Sequence, residues 1–442
     1  MWRGVSSGLL SGTAQNLAQP GARWTLVDRS ADRMRVMMLN YEYPPLGGGA
    51  GIATRALAES LTDLGVQVDV VTGGLQDSPA AGSRSAARGG SPAKLRSGRL
   101  PRDVPGPNVF RVQTSRRELH SAGMAVAASY VLKAWPVVRR LLRDHRYDVV
   151  HCFFSLPTGV LLPLARRVGV GTVLSLRGSD VPGYDMMQPR LQAVHRILRP
   201  LTRSIWSRAD RVVALSTSLG NMVRQTQPDL QFEVIGNGVD LEHFRPRPGR
   251  RRAMGPLRCL AVSRLVQRKA LDTLLYAFKR LPAEGFRLTI AGSGPEEATL
   301  RHLAHSLDLD GTVRFAGPVP HAELANAYHE ADVFVLLPRA ESFGNVFAEA
   351  ISSGLPVVGS AVGGVTDLVE PGVNGWLVRP DDPEASAAAI TRLTDIELRE
   401  EMGRQSRAKA EEFLSWEVVA RSYLSVYRQI APLPDAARRG DA

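Results

Sequence analysis

The chain has 442 residues, 44% of them hydrophobic and 22% charged, with two cysteines and a net charge of +12. That length suggests two or three domains, each large enough to bury its own core, and the composition is that of an ordinary soluble globular protein. No run approaches the ~18 uninterrupted apolar residues of a membrane-spanning helix. Gly, Ser and Gln interrupt the N-terminus where a signal peptide needs a continuous apolar core, so a cytoplasmic protein is expected. Cys152 and Cys259 each fall in an apolar, strand-like run. They read as buried core thiols rather than a disulfide or a metal site. The charge is unevenly placed: residues 34–240 carry an excess of +11 and the rest is close to neutral. That asymmetry hints at an anionic partner for the first half.

In chain order, residues 1–33 are polar and lack sustained periodicity, and they read as a disordered arm. A first strand opens at Met34 in RVMMLNYEYPP. Strand-like runs follow at residues 66–72, 109–114, 148–154, 171–176 and 211–216. Helical patterns lie between most of them, which predicts a parallel, doubly wound α/β sheet. A Ser/Gly/Arg/Pro-rich stretch, residues 75–108, cannot bury a core and reads as a flexible insertion. The Asn-Gly turn and FRPRPGRR within residues 237–252 mark a domain boundary. Residues 34–240 therefore form a first domain. The alternation restarts at residues 257–263, 286–291, 312–316, 332–337, 356–359 and 376–378, in a second domain of residues 241–415. An amphipathic helix, residues 416–430, and a tail, residues 431–442, close the chain. Two such sheets leave a cleft between the C-terminal ends of their strands, where ligands bind.

The stretch ESFGNVFAE places Glu341 and Glu349 seven residues apart, directly after the apolar run ADVFVLLP. The run reads as a buried strand ended by Pro338, and NVFAEAISSG as a short helix closed by Gly354. Glu341 then sits in the strand-to-helix loop, with Glu349 roughly two turns into the helix. A ligand across the helix N-terminus meets a carboxylate at each end and free N–H groups between them. Carboxylates accept hydrogen bonds from hydroxyls, so the pair suits a polyol such as a sugar or ribose; it equally suits two ordinary surface glutamates.

What distinguishes the two is the company of other segments. The second domain's junction resembles that of the retaining glycosyltransferases of family 4, which carry a Glu, seven residues, Glu signature there. NYEYPPLGGGAG (residues 40–51) resembles their glycine loop, SLRGSDV (175–181) their first-domain cleft motif and IGNGVDLEHFRP (235–246) their interdomain segment. AVSRLVQRKALDTLLYAF (261–278) is similar to their phosphate-binding segment, and AGSGPE with the GG…PGVNGWLV run completes an ordered set over most of residues 34–430. The resemblance implies a GT-B fold, two facing Rossmann-like domains with the last helix crossing back onto the first. It implies an acceptor site in the first domain and a nucleotide-sugar site in the second.

On that resemblance Arg264 and Lys269, on what reads as a surface turn, bind the donor diphosphate, Arg as a fork and Lys as a point charge. Glu349 accepts the ribose hydroxyls. Glu341 lies beside the donor sugar, with the N–H groups of Phe343, Gly344 and Asn345 holding sugar hydroxyls or phosphate. Gly292 and Gly294 allow close approach of the nucleotide, or make a plain strand-end turn. Gly48 and Gly49 open a helix whose N-terminus faces phosphate or acceptor, or else make a tight turn. The glycine spacing fits neither the dinucleotide fingerprint nor a P-loop.

Three positions depart from the family. Ala270 follows Lys269 where Gly is usual, and Asp367 stands where Glu is usual. Arg177 replaces a histidine that points towards the donor sugar. Arginine cannot act as a base near neutral pH; it can still bind a hydroxyl, a phosphate or an anionic acceptor. Asp180 either orients Arg177, touches the acceptor or makes a structural salt bridge, and His151 reads as a packed strand-end histidine.

The implied reaction moves a sugar from a nucleotide diphosphate donor, as co-substrate, to a saccharide or lipid-linked acceptor with retention. No cofactor and no nucleic-acid partner are expected. No Asp-x-Asp pair sits at a strand end, so no metal is expected either, and cations must hold the diphosphate. Rivals are a nucleotide-sugar epimerase, a phosphorylase, and an inactive sugar-nucleotide-binding scaffold. A phosphorylase would need pyridoxal phosphate on a second-domain lysine, and Lys269, Lys279 and Lys409 stand in no recognisable cofactor setting. Finally, PRLQAVHRILRPLTRSIWSR (residues 189–208) has an apolar stripe flanked by arginines, with Pro200 expected to kink or divide the helix. It reads as a crossover helix, or as one that also rests on anionic lipid.

Overall fold

The structure, a computed structural model, describes residues 34–75, 106–116, 123–247 and 255–431. The expected arm, most of the expected insertion and nearly all of the expected tail lie outside the described residues. The first half alternates β1 (Arg35–Leu39), α1 (Gly49–Asp63), β2 (Gln67–Gly74), β3 (Asn108–Gln113), α2 (Met124–Asp144) and β4 (Val149–Phe153). It continues with α3 (Leu162–Arg166), β5 (Gly171–Leu176), α4 (Pro189–Arg208), β6 (Arg211–Ala214), α5 (Thr217–Thr226) and β7 (Glu233–Val234). These seven strands form a parallel sheet in the order β3-β2-β1-β4-β5-β6-β7.

The second half runs β8 (Leu257–Val262), α6 (Leu271–Lys279), β9 (Phe286–Ala291), α7 (Glu297–Ser306), β10 (Val313–Gly317), α8 (Leu324–Glu330) and β11 (Val333–Leu336). Then come α9 (Asn345–Ser352), β12 (Val357–Ser360), α10 (Val365–Leu368), β13 (Gly375–Val378), α11 (Pro383–Arg392), α12 (Ile396–Phe413) and α13 (Trp416–Ile430). Its six strands are also all parallel, in the order β10-β9-β8-β11-β12-β13. Both sheets change direction of growth beside their first strand, β1 or β8. Each therefore opens a crevice at the carboxyl ends of those strands. The two-sheet architecture is the GT-B arrangement.

The strands form where Val, Ile and Leu run on without alternation, because both faces of each sheet are covered. The central strand β4 is buried along its whole length. Cys152 and Cys259 are free thiols within this packing, and burial raises both above the ordinary thiol range. Observed ends fall within a few residues of those read from sequence, while the short edge strand β7 carries no such signal.

α4 is one continuous helix, so Pro200 does not divide it. The proline lies on the exposed side, where the Arg196 carbonyl that loses its helical donor can bond to water.

α13 starts at Ser415, whose side chain accepts from Val418 N–H as an N-cap, and it packs on the first sheet beside α1. Val419, Tyr423, Leu424, Val426 and Tyr427 are all buried there against strand residues such as Val36, Met38 and Val173. At about 1.5–3 kcal/mol for each such side chain, this one helix does much to tie the two halves together. Under it runs a polar seam: His151 Nδ1 meets Tyr427 OH at 2.7 Å, His151 Nε2 meets Ser175 Oγ at 2.7 Å, and Ser175 Oγ meets Tyr423 OH at 3.1 Å. Burial and the neighbouring Arg177 hold the His151 pKa well below the usual range, so the ring is neutral. It is a packed strand residue.

Candidate active site

The second-domain side begins at the carboxyl ends of β8, β9 and β10, whose loops are stitched together by backbone hydrogen bonds. Ser263 N–H donates to Ala291 O, Leu265 N–H to Ser293 O and Gly292 N–H to Gly317 O. Glycine is required in this stitching. Gly292 has φ +141°, and a Cβ there would lie 1.8 Å from Ser263 O; one on Gly294 would lie 2.3 Å from Leu265 O. Both glycines thus serve the loop packing that shapes the turn carrying Arg264. Arg264 is exposed, and its guanidinium makes no hydrogen bond or ion pair among the described residues.

Lys269 differs from the expected surface position. Its Nζ lies 2.5 Å from Glu341 Oε2, and both side chains are only 12% exposed. Ala270, directly after it, takes the left-handed conformation with φ +49°, which glycine would adopt freely and alanine adopts at about 1 kcal/mol. The substitution leaves the turn its shape.

Glu341 occupies the loop between β11 and α9, as expected. Gly344 is the N-cap of α9, with φ +99° and no side-chain cap bond, so the first N–H groups of the helix stay open to a ligand. Gly363 and Gly364 pack on this loop from behind. Gly364 N–H donates to Glu341 O, and a Cβ on Gly363 would lie 1.6 Å from that oxygen. Glu349 is the fifth residue of α9, just over one turn in rather than two, and is 7% exposed. It is already engaged: Oε2 accepts from Tyr328 OH at 2.9 Å, and Oε1 lies 3.4 Å from His321 Nε2. The Glu349 carboxylate raises the His321 pKa, whereas burial chiefly, with Glu349 second, raises that of Tyr328. Sequence reasoning missed both partners, and no local pattern marks them.

On the first-domain side Gly48 caps α1 without any side-chain bond. Gly49 stands against α9, since a Cβ there would lie 2.9 Å from Asn345 Nδ2. The open N-termini of α1 and α9 therefore meet, one from each domain. Asp180 makes no salt bridge with the Arg177 guanidinium. Its Oδ1 accepts from Arg177 and Gly178 N–H and its Oδ2 from Ser155 N–H and Oγ. With its acceptor sites filled, it clamps the loop after β5, and burial raises its pKa. Arg177 is 7% exposed, lies over the Phe153 ring at 4.6 Å and donates from Nη1 to Asn237 Oδ1 at 2.9 Å.

Several contacts span the cleft. Asn237 Nδ2 donates to Asn345 Oδ1 at 2.9 Å, Arg268 Nη1 approaches Asp185 Oδ2 at 3.6 Å, and Thr217 N–H donates to Asp367 Oδ2 at 2.8 Å. Asp367, the shorter residue where Glu is usual, thus receives an N–H from the first turn of α5 across the domain junction. Phe343 packs on Gly236, where a Cβ would lie 2.4 Å from its ring. Tyr184 pairs with Ser342, and burial and nearby Glu341 push its phenol up to about 12. The glutamate loop, Lys269 and the Arg177 loop are thereby brought to one place. Among the described residues, no group of three or more His, Cys, Asp or Glu is arranged to hold a metal ion. A groove of about 690 Å³ lies elsewhere, on the β8–β10 face beside α8, lined by Arg258, Arg287, Arg314 and Glu330.

Comparison with known proteins agrees with this architecture. Residues 47–243 match the family described as Glycosyltransferase Family 4, and residues 245–409 match Glycosyl transferases group 1. A D-inositol 3-phosphate glycosyltransferase of Frankia alni is 32% identical over 425 residues, covering 88% of this chain and 96% of its own. The sucrose-phosphate synthase of Thermosynechococcus elongatus superposes with a TM-score of 0.74 at 25% identity, over 90% of this chain and 99% of that one. Anabaena HepE, in complex with UDP and glucose, has the same fold with a TM-score of 0.63 at 20% identity, over 89% and 99%.

Proposed function

The chain belongs to glycosyltransferase family 4, and from its site we propose that it transfers a sugar from a nucleotide diphosphate donor to a saccharide or lipid-linked acceptor, retaining the anomeric configuration. The observation that carries this reading is the Lys269–Glu341 pair, 2.5 Å apart, beside the uncapped N-terminus of α9. The donor diphosphate brings about two negative charges, and departure of the leaving group adds charge to its terminal oxygen. Lys269, aimed by Glu341, and the unpaired Arg264 stabilise that charge together with the N–H groups of Gly344 and Asn345. Phe343 contributes its N–H and, through its ring, fixes the loop.

Glu341 is engaged with Lys269, so it serves as an orienter and a hydroxyl acceptor rather than a nucleophile. Glu349 takes the ribose hydroxyls while Tyr328 and His321 hold it in place. The acceptor hydroxyl attacks from the face the phosphate leaves: the new C–O bond forms as the C–O bond to phosphate breaks, and the released phosphate takes the hydroxyl proton. Side-chain cations carry the charge, so transfer is expected to survive EDTA.

A melting-temperature panel with UDP-, GDP-, ADP- and TDP-glucose tests the donor site. A bound donor at 100 times its Kd adds about 2.7 kcal/mol. A rise with one of the four supports the reading, and no rise with any of them removes it.

α4 supports the lipid-linked acceptor. It contains no Asp or Glu, and it exposes Ile197 at 76% and Leu201 at 41%. Arg190, Arg196, Arg199 and Arg203 make no ion pair among the described residues. No helix among the described residues is long and apolar enough to cross a membrane. Contact with anionic lipid through this face is thus peripheral, at about 1 kcal/mol per basic residue. Co-sedimentation with anionic but not neutral vesicles at low salt is expected, and no sedimentation with either leaves a soluble acceptor.

A further inference from the structure

The residue at position 177 is the sharpest departure from the family pattern, and its contacts give it a different task. Arginine only donates hydrogen bonds. The oxygen of the Asn237 amide therefore faces Arg177 Nη1, at 2.9 Å, and its nitrogen faces Asn345, also at 2.9 Å. Asn345 must then turn its own oxygen towards Asn237 and its Nδ2 away from it, to the side where α1 begins at Gly49. The orientation of a side-chain amide is ordinarily ambiguous from its shape alone. Here a donor-only residue at one end of the chain of bonds settles both amides.

We propose that Arg177 is a positioning residue: through Asn237 it fixes the Asn345 amide so that an N–H₂ donor, beside the open N-termini of α1 and α9, faces the oxygens of the donor's diphosphate or sugar. A histidine at this position can present either a donor or an acceptor, so it does not impose this orientation. Arg177 is also well placed to be rigid. It stacks on Phe153 at 4.6 Å, and Asp180 holds its backbone N–H at 2.8 Å. The substitution is then no sign of a lost activity. It rests on the donor-site reading for the identity of the ligand, but the chain of bonds itself is present without ligand.

Four substitutions separate positioning from folding. Asn237→Asp keeps an acceptor for Arg177 but cannot donate to Asn345, whose amide should turn over. Arg177→Met keeps apolar contact with Phe153 without any donor, and Arg177→Lys restores a donor-only group. Affinity is measured with UDP, GDP, ADP and TDP in turn by calorimetry. Asn237→Asp and Arg177→Met are expected to weaken the nucleotide that binds wild type by about tenfold, with Arg177→Lys recovering most of it. Asn345→Ala is expected to add little on top of Asn237→Asp, since both remove one interaction. Independently of any nucleotide, amide exchange at Phe347 and Ala348, which donate to Gly344 O, should quicken in Asn237→Asp and Arg177→Met but not in Arg177→Lys. Equal exchange in all variants, or additive losses of affinity, overturns the relay. If wild type binds none of the four nucleotides, the transferase reading fails while the exchange measurement still decides the relay.

Discussion

Replacing Lys269 with alanine should cost both stability and turnover, and the two losses can be separated. At 2.5 Å the attraction between Lys269 and Glu341 is about 7 kcal/mol in an effective dielectric of about 20, before desolvation is charged against it. Removing one partner of a buried pair typically costs about 3–5 kcal/mol, because the other charge is left uncompensated. The residual 12% exposure of each side chain lets water reach Glu341, so a loss of about 2–4 kcal/mol is reasonable. In a unit of this size that lowers the melting temperature by roughly 5–15 °C. Lys269→Met combined with Glu341→Gln removes both charges and should recover most of the loss. Turnover, read as nucleoside diphosphate release, should stay about a hundred- to a thousandfold down in both variants. Calorimetric melts of the ligand-free proteins decide the first part. A single variant that melts with wild type, or a double variant as unstable as the single, would show that the pair is not the coupled unit described.

Arg264→Ala should leave the melting temperature unchanged, because the side chain is exposed and unpaired, while turnover falls about a hundredfold; normal turnover would take Arg264 out of the donor site. Glu349→Gln should raise the donor KM about tenfold with little change in kcat, since a neutral amide accepts ribose hydroxyls more weakly; an unchanged KM counts against the ribose assignment. His151, whose folded pKa lies well below 6.5, is protonated first in the unfolded chain, so acidification below pH 6.5 should destabilise the fold by up to about 1.4 kcal/mol per pH unit. His321, raised by Glu349, acts mainly above that pH. A His151→Asn variant should lose this part of the slope between pH 6.5 and 5, and an identical slope would place the proton elsewhere.

The sheets were legible because their strands are continuous apolar runs such as DVVHCFF and LRCLAVS, a pattern that needs no partner to be seen. The glutamate loop and the Arg264 turn were legible for the same local reason, with the order of motifs supplying what each lacked alone. What the sequence could not show were partnerships across long separations. Lys269 and Glu341 are 72 residues apart, and Asn237 and Asn345 are 108 apart. Nothing near Asp180 signals that it will be consumed by four hydrogen bonds, two from its own loop and two from Ser155 in the loop after β4. His321 and Tyr328 sit in an ordinary-looking PHAELANAYHE stretch and acquire meaning only when α9 is laid beside them. The return of α13 to the first sheet was suggested by resemblance alone. Its amphipathic pattern fits any apolar surface, and only the seam of Tyr423, Tyr427, His151 and Ser175 selects this one.

The claim at the centre of this account is transfer of a sugar with retention from a nucleotide diphosphate held at α9. The most direct measurement is NMR of the anomeric proton in the product formed from the α-linked nucleotide sugar that the stability panel selects. The account predicts an α-linked product that appears together with the free nucleoside diphosphate, in the presence of EDTA and far more slowly with Arg264→Ala. A β-linked product, or release that demands an added metal ion, would contradict it.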